Sequence, residues 1–329
     1  MIDEYLQREI DVGSFPAAAW AVGSSSRGIE SEGALGHAVA VPLRLRATVD
    51  TIFDVASLTK PLITATLVLQ AVAEGRIALD DRFEGFTYRS LLTHRSGLVA
   101  WLPLYAFPDV LQAIHEHGHG AEPGVYSDLN FVLLYYALQR LYGSYIDRAN
   151  ERILIPLGVD ALFRPPARLK PRIAATEWGQ WWEMKMCAER KIAFDGFRRT
   201  LIWGETHDGN SHYLGGTAGN AGLFATARAV FRIAQAFANG ELVPPPLVAE
   251  AARGGLGWDK PSPGSAATSM LSPNAYGHAG FTGTSVWIDG DRIMVLLTNR
   301  VHPIAAPTAM QKIRGKFHEL VAPASPPAV

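Results

Sequence analysis

The sequence predicts an α+β fold in which an antiparallel sheet is built from both ends of the chain, with a mainly helical insertion between them. Strand patterns occur near both termini, whereas residues 85–215 have helix and loop patterns rich in Trp, Tyr, Pro and Gly. We therefore expect one domain over residues 1–329, with an α/β part at about 1–60 and 216–322 and a helical insertion at about 61–215.

The N-terminal segment predicts a helix followed by two strands. Ile2, Leu6 and Ile10 fall four residues apart, which is the apolar stripe of an amphipathic helix. Residues 17–25 and 29–40 then predict two short strands joined by a glycine-containing turn.

A long apolar helix is predicted from near Ser57 to about Glu74, where Gly75 ends it. Pro61, one turn into this helix, has no backbone N–H, so the Ser57 carbonyl loses its helical partner. Threonines and a glutamine interrupt the apolar run, which is too short to cross a bilayer, and no membrane span is expected.

The C-terminal segment predicts a β-hairpin and a final helix. Residues 281–289 and 291–300 flank Gly290 as two strands would flank a tight turn. An amphipathic helix is expected from about Pro307 to Leu320, and the tail at 323–329 is expected to be disordered.

Composition and charge exclude several function classes. The chain has 329 residues, 48% of them hydrophobic, and its 30 basic and 31 acidic residues give a net charge of −1. No basic patch indicates a nucleic-acid partner. The single cysteine, Cys187, cannot form an internal disulfide, and an ordinary thiol on a helix is expected. The N-terminus lacks a signal-peptide pattern, which predicts a cytoplasmic protein, or a periplasmic one if an export signal was removed.

The most informative motif is an S-x-x-K pair, Ser57 and Lys60, at the start of the predicted apolar helix. Residues three apart share a helix face, so an ammonium would lie beside a hydroxyl. A serine becomes a good nucleophile when a neighbouring base takes its proton. Taken alone, the pair also fits a capping serine with a solvated lysine.

Two further segments carry candidate chemistry. Tyr126 follows a Pro-Gly turn and could accept a proton from Ser57 if a nearby ammonium lowers its pKa, while Asp128 could hold Lys60 or simply cap a helix. His278 and Gly280 lie where a penultimate strand is predicted to start, and glycines there allow close approach of a ligand. The N–H groups of Phe281 and Ser57 could together receive an oxyanion.

In this order the three elements resemble the active-site signature of the penicillin-recognising serine hydrolases. Their pattern is S-x-x-K, then Y-x-N, then K-T-G, and the class C β-lactamase branch, with its family VIII carboxylesterase relatives, is the most similar. Longer stretches of this chain also resemble that branch: LLTHRSGL (91–98), GVYSDLNFVLL (124–134), GETHDGN (204–210), LGGTAGNAGLFATA (214–227), GFTGTSVWID (280–289) and LTNRVHP (297–303).

The resemblance implies a β-lactamase/transpeptidase-like fold, an antiparallel sheet flanked by helices beside a helical region. It implies Ser57 as the acylated nucleophile, Lys60 as its activator, and Tyr126 as the base. It also implies oxyanion-hole amides from Ser57 and Phe281. No metal or organic cofactor is expected, and the partner is a small acyl substrate (an ester, a β-lactam or a peptidoglycan-like peptide). The oligomeric state is left open.

The chain departs from the family pattern at two places. Asp128 stands where the pattern has asparagine, and a carboxylate there should favour the charged form of Lys60. His278-Ala279-Gly280 replaces K-T-G, which removes the fixed ammonium that helps hold a substrate carboxylate. Efficient β-lactam turnover is therefore not expected, while ester or amide cleavage stays open, as does a non-catalytic module that binds cell-wall peptide or a protein.

Other motifs are interpreted as structural. His115, His117 and His119 alternate and could bind a metal from an extended segment, but a solvated loop at the pocket rim is favoured. His207-Asp208 is not accompanied by a G-x-S-x-G nucleophile elbow and is assigned to a loop near the site. Three tryptophans with helical spacing are interpreted as a core stripe rather than as an aromatic wall for an acyl group: Trp178, Trp181 and Trp182.

Overall fold

The computed structural model describes residues 1–321 and confirms the predicted α+β fold. A six-stranded antiparallel sheet has the order β3-β2-β1-β11-β10-β9, so strands from both ends of the chain lie side by side. The strands are β1 Ala17–Ser24, β2 Gly28–Val39, β3 Leu45–Arg46, β4 Phe53–Asp54, β5 Arg82–Phe83, β6 Phe86–Thr87, β7 Ala161–Phe163, β8 Leu223–Ala225, β9 Tyr276–Ala279, β10 Ser285–Asp289 and β11 Arg292–Thr298.

Twelve α-helices surround the sheet within these residues. They are α1 Ile2–Asp11, α2 Thr66–Ala73, α3 Tyr88–Leu92, α4 Val110–His117, α5 Asp128–Tyr142, α6 Tyr145–Ala149, α7 Ile155–Leu157, α8 Trp181–Glu189, α9 Gly209–Tyr213, α10 Ala227–Ala238, α11 Pro245–Gly254 and α12 Met310–Val321. Between the two sheet-forming ends, residues 85–215 are mainly helix and loop as expected, although β7 also joins β4 and β8 in a small second sheet. The division into an α/β part and an insertion stays a prediction.

Strand β1 explains why the sheet holds helices on both faces. Successive strand residues point to opposite faces, and every residue of β1 is buried. Ala19 and its same-face neighbours belong to the large core that includes α10, whereas Trp20 packs with Leu6 of α1 and Phe317 of α12. A strand covered on both sides is apolar throughout, as the sequence AAAWAVG is.

The predicted helix at 57–74 is three consecutive helical segments. A 3₁₀ turn at Ala56–Leu58 leads into a π-helical stretch at Lys60–Ala65 and then into α2. The missing N–H of Pro61 accounts for the widened π stretch, because the regular hydrogen-bond ladder is interrupted there. The stretch Ala56–Ala73 has the length and mean hydropathy (1.3) of a candidate membrane span, but 83% of it is buried within the fold, as expected of a core helix.

Several sequence-based interpretations were wrong. His115 and His117 lie in α4 rather than in a loop, so alternate positions point to different sides of a helix, and no metal-binding group of acidic, His or Cys side chains occurs among residues 1–321. Helix α12 begins at Met310, later than expected. His278 lies in its own edge strand, β9, not at the start of β10. The tail predicted to be disordered, 323–329, lies outside the described residues.

The three tryptophans also do not form a core stripe. Trp178 precedes α8 and is 39% exposed, while Trp181 begins that helix and is 56% exposed. Trp182 instead packs on Phe281, with ring centroids 5.6 Å apart. The alternative to a core stripe was an aromatic wall for an acyl group, and the position of Trp182 beside the cleft fits that alternative. Cys187 lies in the same helix, as predicted, and its side chain is buried.

Candidate active site

The 3₁₀ turn that carries Ser57 is held in a strained conformation. Ala56, the residue before Ser57, has a φ of +48°, which lies in a backbone region that residues with a side chain seldom occupy. The turn is fixed from both sides: the Ala56 N–H donates to the buried carboxylate of Asp54 (2.9 Å), and the Thr284 hydroxyl donates to the Val55 carbonyl (2.9 Å). These bonds direct the Ser57 side chain into the cleft.

Gly280 is required by close packing against this turn. A Cβ at this position would lie 2.6 Å from the Val55 carbonyl oxygen and 2.1 Å from the Thr284 hydroxyl. Any side chain would therefore displace the turn that presents Ser57. Gly280, predicted as a supporting residue, lies where the β9–β10 connection meets the nucleophile.

Lys60 is the centre of the site. Its side chain is fully buried, and its Nζ donates to the Ser57 hydroxyl (2.9 Å) and to the Asn220 carbonyl (3.0 Å). Its third contact is the Asp128 carboxylate, 2.7 Å away. Two of the three N–H groups of the ammonium therefore have hydrogen-bond acceptors, and the contact with Asp128 is an ion pair without hydrogen-bond geometry. A charge removed from water in this way needs a partner, and Asp128 supplies it.

Tyr126 lies over Lys60, with Nζ 5.1 Å from the ring centroid, and it lines the same cavity as Ser57. The residue is 37% exposed. This environment raises the pKa of the phenol well above 10, first through burial and second through the Asp128 charge. Tyr126 therefore does not meet the condition set for a base, a pKa lowered by a nearby ammonium, because burial and the Asp128 charge both raise the pKa of the phenol.

Two neutral imidazoles flank the Tyr126 ring. His94 lies 4.6 Å away on one side and His278 lies 5.9 Å away on the other, measured between ring centroids. His94 accepts the Ser127 N–H at Nδ1 (3.0 Å), and burial, with the Lys60 charge second, lowers its pKa to about 4. His94 was not identified from the sequence, since a single histidine in a loop gives no signal of its own.

His278 does not replace the ammonium of the family motif. Its ring is buried, one nitrogen bonds the Ala279 carbonyl (2.8 Å), and burial is the first cause that lowers its pKa below the ordinary 6.5. It lies behind Tyr126 and is not among the residues that line the cleft cavity. His278 is therefore an uncharged support for the phenol at neutral pH.

The cleft in front of Ser57 is a cavity of about 220 Å³ with aromatic and acidic walls. The described residues that line it are Ala56, Ser57, Ala100, Trp101, Tyr126, Asp128, Trp182, Glu183, Met186, His207, Asp208, Ala221 and Phe281. Ser57 and Phe281, whose N–H groups are the expected oxyanion-hole donors, both line this cavity.

His207 and Asp208, assigned from sequence to a loop near the site, line the cavity itself. The His207 ring stacks on Phe281 with centroids 5.6 Å apart, and its Nε2 lies 3.0 Å from the buried carboxylate of Glu177. Asp208 caps α9 by accepting the Ser211 N–H (2.7 Å). The pair therefore positions the cleft wall that carries Phe281.

Glu183 places a buried carboxyl in the cleft that no sequence motif indicated. It accepts the Gly209 N–H (2.8 Å), and burial, with the Asp208 charge second, raises its pKa from 4.5 to about 7. Glu183 therefore binds its proton more tightly in the folded chain than in the unfolded chain. The contribution of protonated Glu183 to the free energy of unfolding is complete below pH 4.5 and is lost as the pH rises through about 7.

We predict that Glu183→Gln removes this pH dependence. Relative to the variant, the wild type should lose about 3 kcal/mol of unfolding free energy between pH 4.5 and pH 8. Chemical denaturation at a series of pH values measures the difference. Glu189→Gln, on the same helix with a 60% exposed side chain, is the matched control and should show no such trend. A constant difference between Glu183→Gln and wild type would contradict the prediction.

Comparison with known proteins agrees with the geometry. The model of the Beta-lactamase family matches residues 2–315. A protein of Escherichia coli (strain K12) named "Putative D-alanyl-D-alanine carboxypeptidase" is 30% identical over 323 residues, covering 80% of this chain and 72% of that protein.

Solved structures share the fold. EstCE1, described as a hydrolase with promiscuous acyltransferase activity, superimposes with a TM-score of 0.73 at 18% identity, covering 97% of both chains. The octameric penicillin-binding protein homologue from Pyrococcus abyssi gives a TM-score of 0.69 at 17% identity, covering 97% of this chain and 76% of that one. With its family model matched along nearly its whole length, this chain belongs to the Beta-lactamase family, and its architecture is that of the serine hydrolases of that group.

Proposed function

We propose that this protein is a serine hydrolase that cleaves an acyl substrate through a covalent ester on Ser57. The observation that carries the proposal is the contact between the Ser57 hydroxyl and a fully buried Lys60, 2.9 Å apart at the edge of an open cleft. Burying an ammonium is unfavourable, so a lysine with a purely structural role would normally keep its charge in water. Burial of Lys60 beside a cleft-facing serine therefore indicates a chemical role.

The first step is the acylation of Ser57. The Ser57 oxygen attacks the carbonyl carbon, and its proton passes to Lys60 Nζ as Lys60 gives a proton to Asp128, 2.7 Å away. The carbonyl oxygen becomes an oxyanion that the N–H groups of Ser57 and Phe281 receive. Asp128 is thus the final proton acceptor, a role that the amide in the family pattern cannot take.

Tyr126 acts on the leaving group. A phenol with a raised pKa is a poor resting base but keeps its proton available, so Tyr126 donates that proton as the tetrahedral intermediate collapses. It recovers a proton from Lys60, which in turn regains the one held by Asp128. Water then enters along the leaving-group path, and its proton passes through Lys60 to Asp128 as its oxygen attacks the ester carbonyl. The proton returns through Lys60 to the Ser57 oxygen as the acid leaves.

Esters and short peptides are the favoured substrates. The E. coli relative is named a putative carboxypeptidase, and EstCE1 is described as a hydrolase with promiscuous acyltransferase activity, which supports peptide and ester substrates for this chain. An uncharged His278 behind Tyr126 supplies no ammonium for the carboxylate of a β-lactam. We therefore expect slow β-lactam turnover beside measurable ester cleavage.

Hydrolysis of a short-chain p-nitrophenyl ester and of a chromogenic cephalosporin, by the wild type and by Ser57→Ala, tests the proposal. We expect ester turnover that the substitution abolishes, and a lower kcat/KM for the cephalosporin. Ser31→Ala, exposed on β2 and not among the residues that line the cavity, is the control for a lost serine hydroxyl. Ester turnover that survives Ser57→Ala would remove Ser57 as the nucleophile, and inertness of the wild type towards all acyl substrates would favour a binding module.

Tyr126→Phe should lower kcat for alkyl esters by about 10² to 10⁴. The substitution keeps the ring and its stacking on His94 and His278 but removes the proton that is transferred to the leaving group. A leaving-group series checks the assignment: the loss should be large for alkyl esters and small for p-nitrophenyl esters, whose leaving group needs no proton. Equal losses across the series would reassign the general acid.

A further inference from the structure

The catalytic cleft has an acidic wall. Asp128, Glu183 and Asp208 line the cavity, and its described lining contains no lysine or arginine. The Asp128 charge is countered by Lys60, 2.7 Å away. Glu183 and Asp208 differ from Asp128, because no cationic side chain of the described chain lies within 4.0 Å of either carboxylate. We call Glu183 and Asp208 the acidic pair.

The fold brings the acidic pair together at the start of α9. Glu183 accepts the Gly209 N–H (2.8 Å), and Asp208 is the residue directly before that glycine. A Cβ on Gly209 would lie 2.1 Å from the Glu183 carboxylate, so the missing side chain allows this approach. Glu183 is only 5% exposed, so water solvates its carboxylate poorly.

The two carboxyls disfavour each other's charge. Burial raises the pKa of Glu183 to about 7, and the Asp208 charge is the second cause. Burial also raises the pKa of Asp208, with the Asp128 charge second. A bound cation relieves such repulsion, because it stabilises both carboxylates in their ionised form.

One basic side chain acts on the acidic pair from outside the cavity. Arg198 feels the charges of both carboxylates, but it is not among the residues that line the cleft. Its guanidinium donates to the carbonyls of Thr206 (2.7 Å) and His207 (2.6 Å) and lies 3.6 Å from Glu205. The His207 ring does line the cavity, but its Nε2 is directed to Glu177, 3.0 Å away. Both groups are therefore already engaged with other partners.

An unsatisfied acceptor lies beside Asp208. Asn220 stabilises the Asp208 charge and is only 1% exposed. Its side-chain oxygen has no hydrogen-bond partner among the described residues, and the next residue, Ala221, lines the cleft. A primary ammonium has three N–H groups, so it can satisfy such an acceptor in addition to a carboxylate.

Aromatic rings form much of the remaining wall. The aromatic residues among the described lining are Trp101, Tyr126, Trp182 and Phe281. The faces of aromatic rings attract cations, and rings combined with carboxylates are a recurring way to bind an organic ammonium. Rings, an unsatisfied acceptor and two carboxylates without a countercharge together favour an ammonium over an anion in this cleft.

The acidic pair lies at the Phe281 wall of the cleft. Trp182 directly precedes Glu183 and His207 directly precedes Asp208, and both of these rings pack on Phe281 with centroids 5.6 Å apart. The leaving group, in contrast, departs beside Tyr126. A charged group that reaches the acidic pair therefore belongs to the acyl part of the substrate.

We propose that the acidic pair binds a primary ammonium carried by the acyl part of the substrate, so that the substrate class is an aminoacyl ester or a short peptide with a free amino end. Glu183 is the binding residue, because it is the more buried member and is fixed against Gly209. Asp208 adds charge while it caps α9. The proposal rests on the proposed function, since an acyl part is defined only if Ser57 is acylated.

Binding to the Ser57→Ala protein tests the acidic pair without turnover. The probes are benzylamine and benzyl alcohol, which share a ring and differ in charge, titrated by calorimetry at pH 8, where most of Glu183 is ionised. We expect the amine to bind at least about tenfold more tightly, and Glu183→Gln to abolish that preference. Equal affinity of the two probes, or a preference that survives Glu183→Gln, would overturn the proposal.

Two features make Glu183→Gln a clean variant. Glutamine matches the protonated carboxyl that the folded chain already holds below pH 7, so the cavity keeps its shape. Glu189→Gln, on the same helix with a 60% exposed side chain, is the matched control and should retain the preference for the amine.

Calcium chloride is a third probe, because two carboxylates could also hold a metal ion. At constant ionic strength, displacement of benzylamine by Ca²⁺ at a lower concentration than that of the amine itself would assign the acidic pair to a metal ion and overturn the ammonium proposal. Weak competition supports it, in keeping with the lack of a metal-binding group among residues 1–321.

Turnover of two matched esters separates this proposal from the proposed function. Phenyl 4-(aminomethyl)phenylacetate and phenyl 4-ethylphenylacetate share a leaving group and a shape, and the ratio of their kcat/KM values should favour the amine. Glu183→Gln should lower that ratio by about tenfold, while Glu189→Gln leaves it unchanged. An unchanged ratio in Glu183→Gln contradicts the role of the acidic pair. Failure of the wild type to cleave either ester contradicts the proposed function instead, and the binding titrations then decide the acidic pair alone.

Discussion

The burial of one lysine ammonium governs the rest of this structure. Lys60 has no exposed side-chain surface, and such a charge is tolerated only when every N–H finds an acceptor and a countercharge lies close. Ser57 and Asn220 supply hydrogen-bond acceptors and Asp128 supplies the countercharge, from three distant parts of the chain. The fold has to bring the 3₁₀ turn, the glycine-rich 214–227 segment and the start of α5 to one point, and the cleft forms where they meet.

The strained turn at Ala56 has a related cause. A helix beginning smoothly at Ser57 would point the hydroxyl along the helix surface, whereas the positive φ at Ala56 bends the chain so that it faces the cleft. Strain of this kind persists only when neighbours over-determine it, and here Asp54, Thr284 and the missing side chain of Gly280 do so. The residues that look like a motif for catalysis are therefore also the residues that build the turn.

The sequence predicted the sheet and the main residues of the candidate site because these depend on local patterns. The apolar run of β1, the Gly290 hairpin and the S-x-x-K spacing are all short-range signals. The side chains beside Ser57 that it missed are different: His94 and Glu183 act through tertiary contacts between elements far apart in sequence. The pKa of Tyr126 is raised first by burial of the phenol and second by the Asp128 charge, and no sequence spacing reveals either cause.

The predicted helix boundaries were wrong for local reasons. The π-helical stretch at Lys60–Ala65 follows from a proline whose effect the pattern of apolar residues does not encode. The tryptophan stripe had helical spacing, yet α8 begins only at Trp181, so the spacing included a residue outside the helix. Periodicity identifies a helix well in its middle and poorly at its ends, where hydrogen-bond partners change.

The central claim is that the buried ammonium activates Ser57. The most direct measurement is the rate at which a fluorophosphonate probe modifies the protein, with the labelled peptide identified by mass spectrometry, in the wild type and in Lys60→Met. Methionine fills the same apolar channel without charge or proton transfer. We predict labelling at Ser57 in the wild type, and a second-order rate lower by about 10² or more in Lys60→Met. Labelling of Lys60→Met at the wild-type rate, or labelling at another residue, would contradict the account.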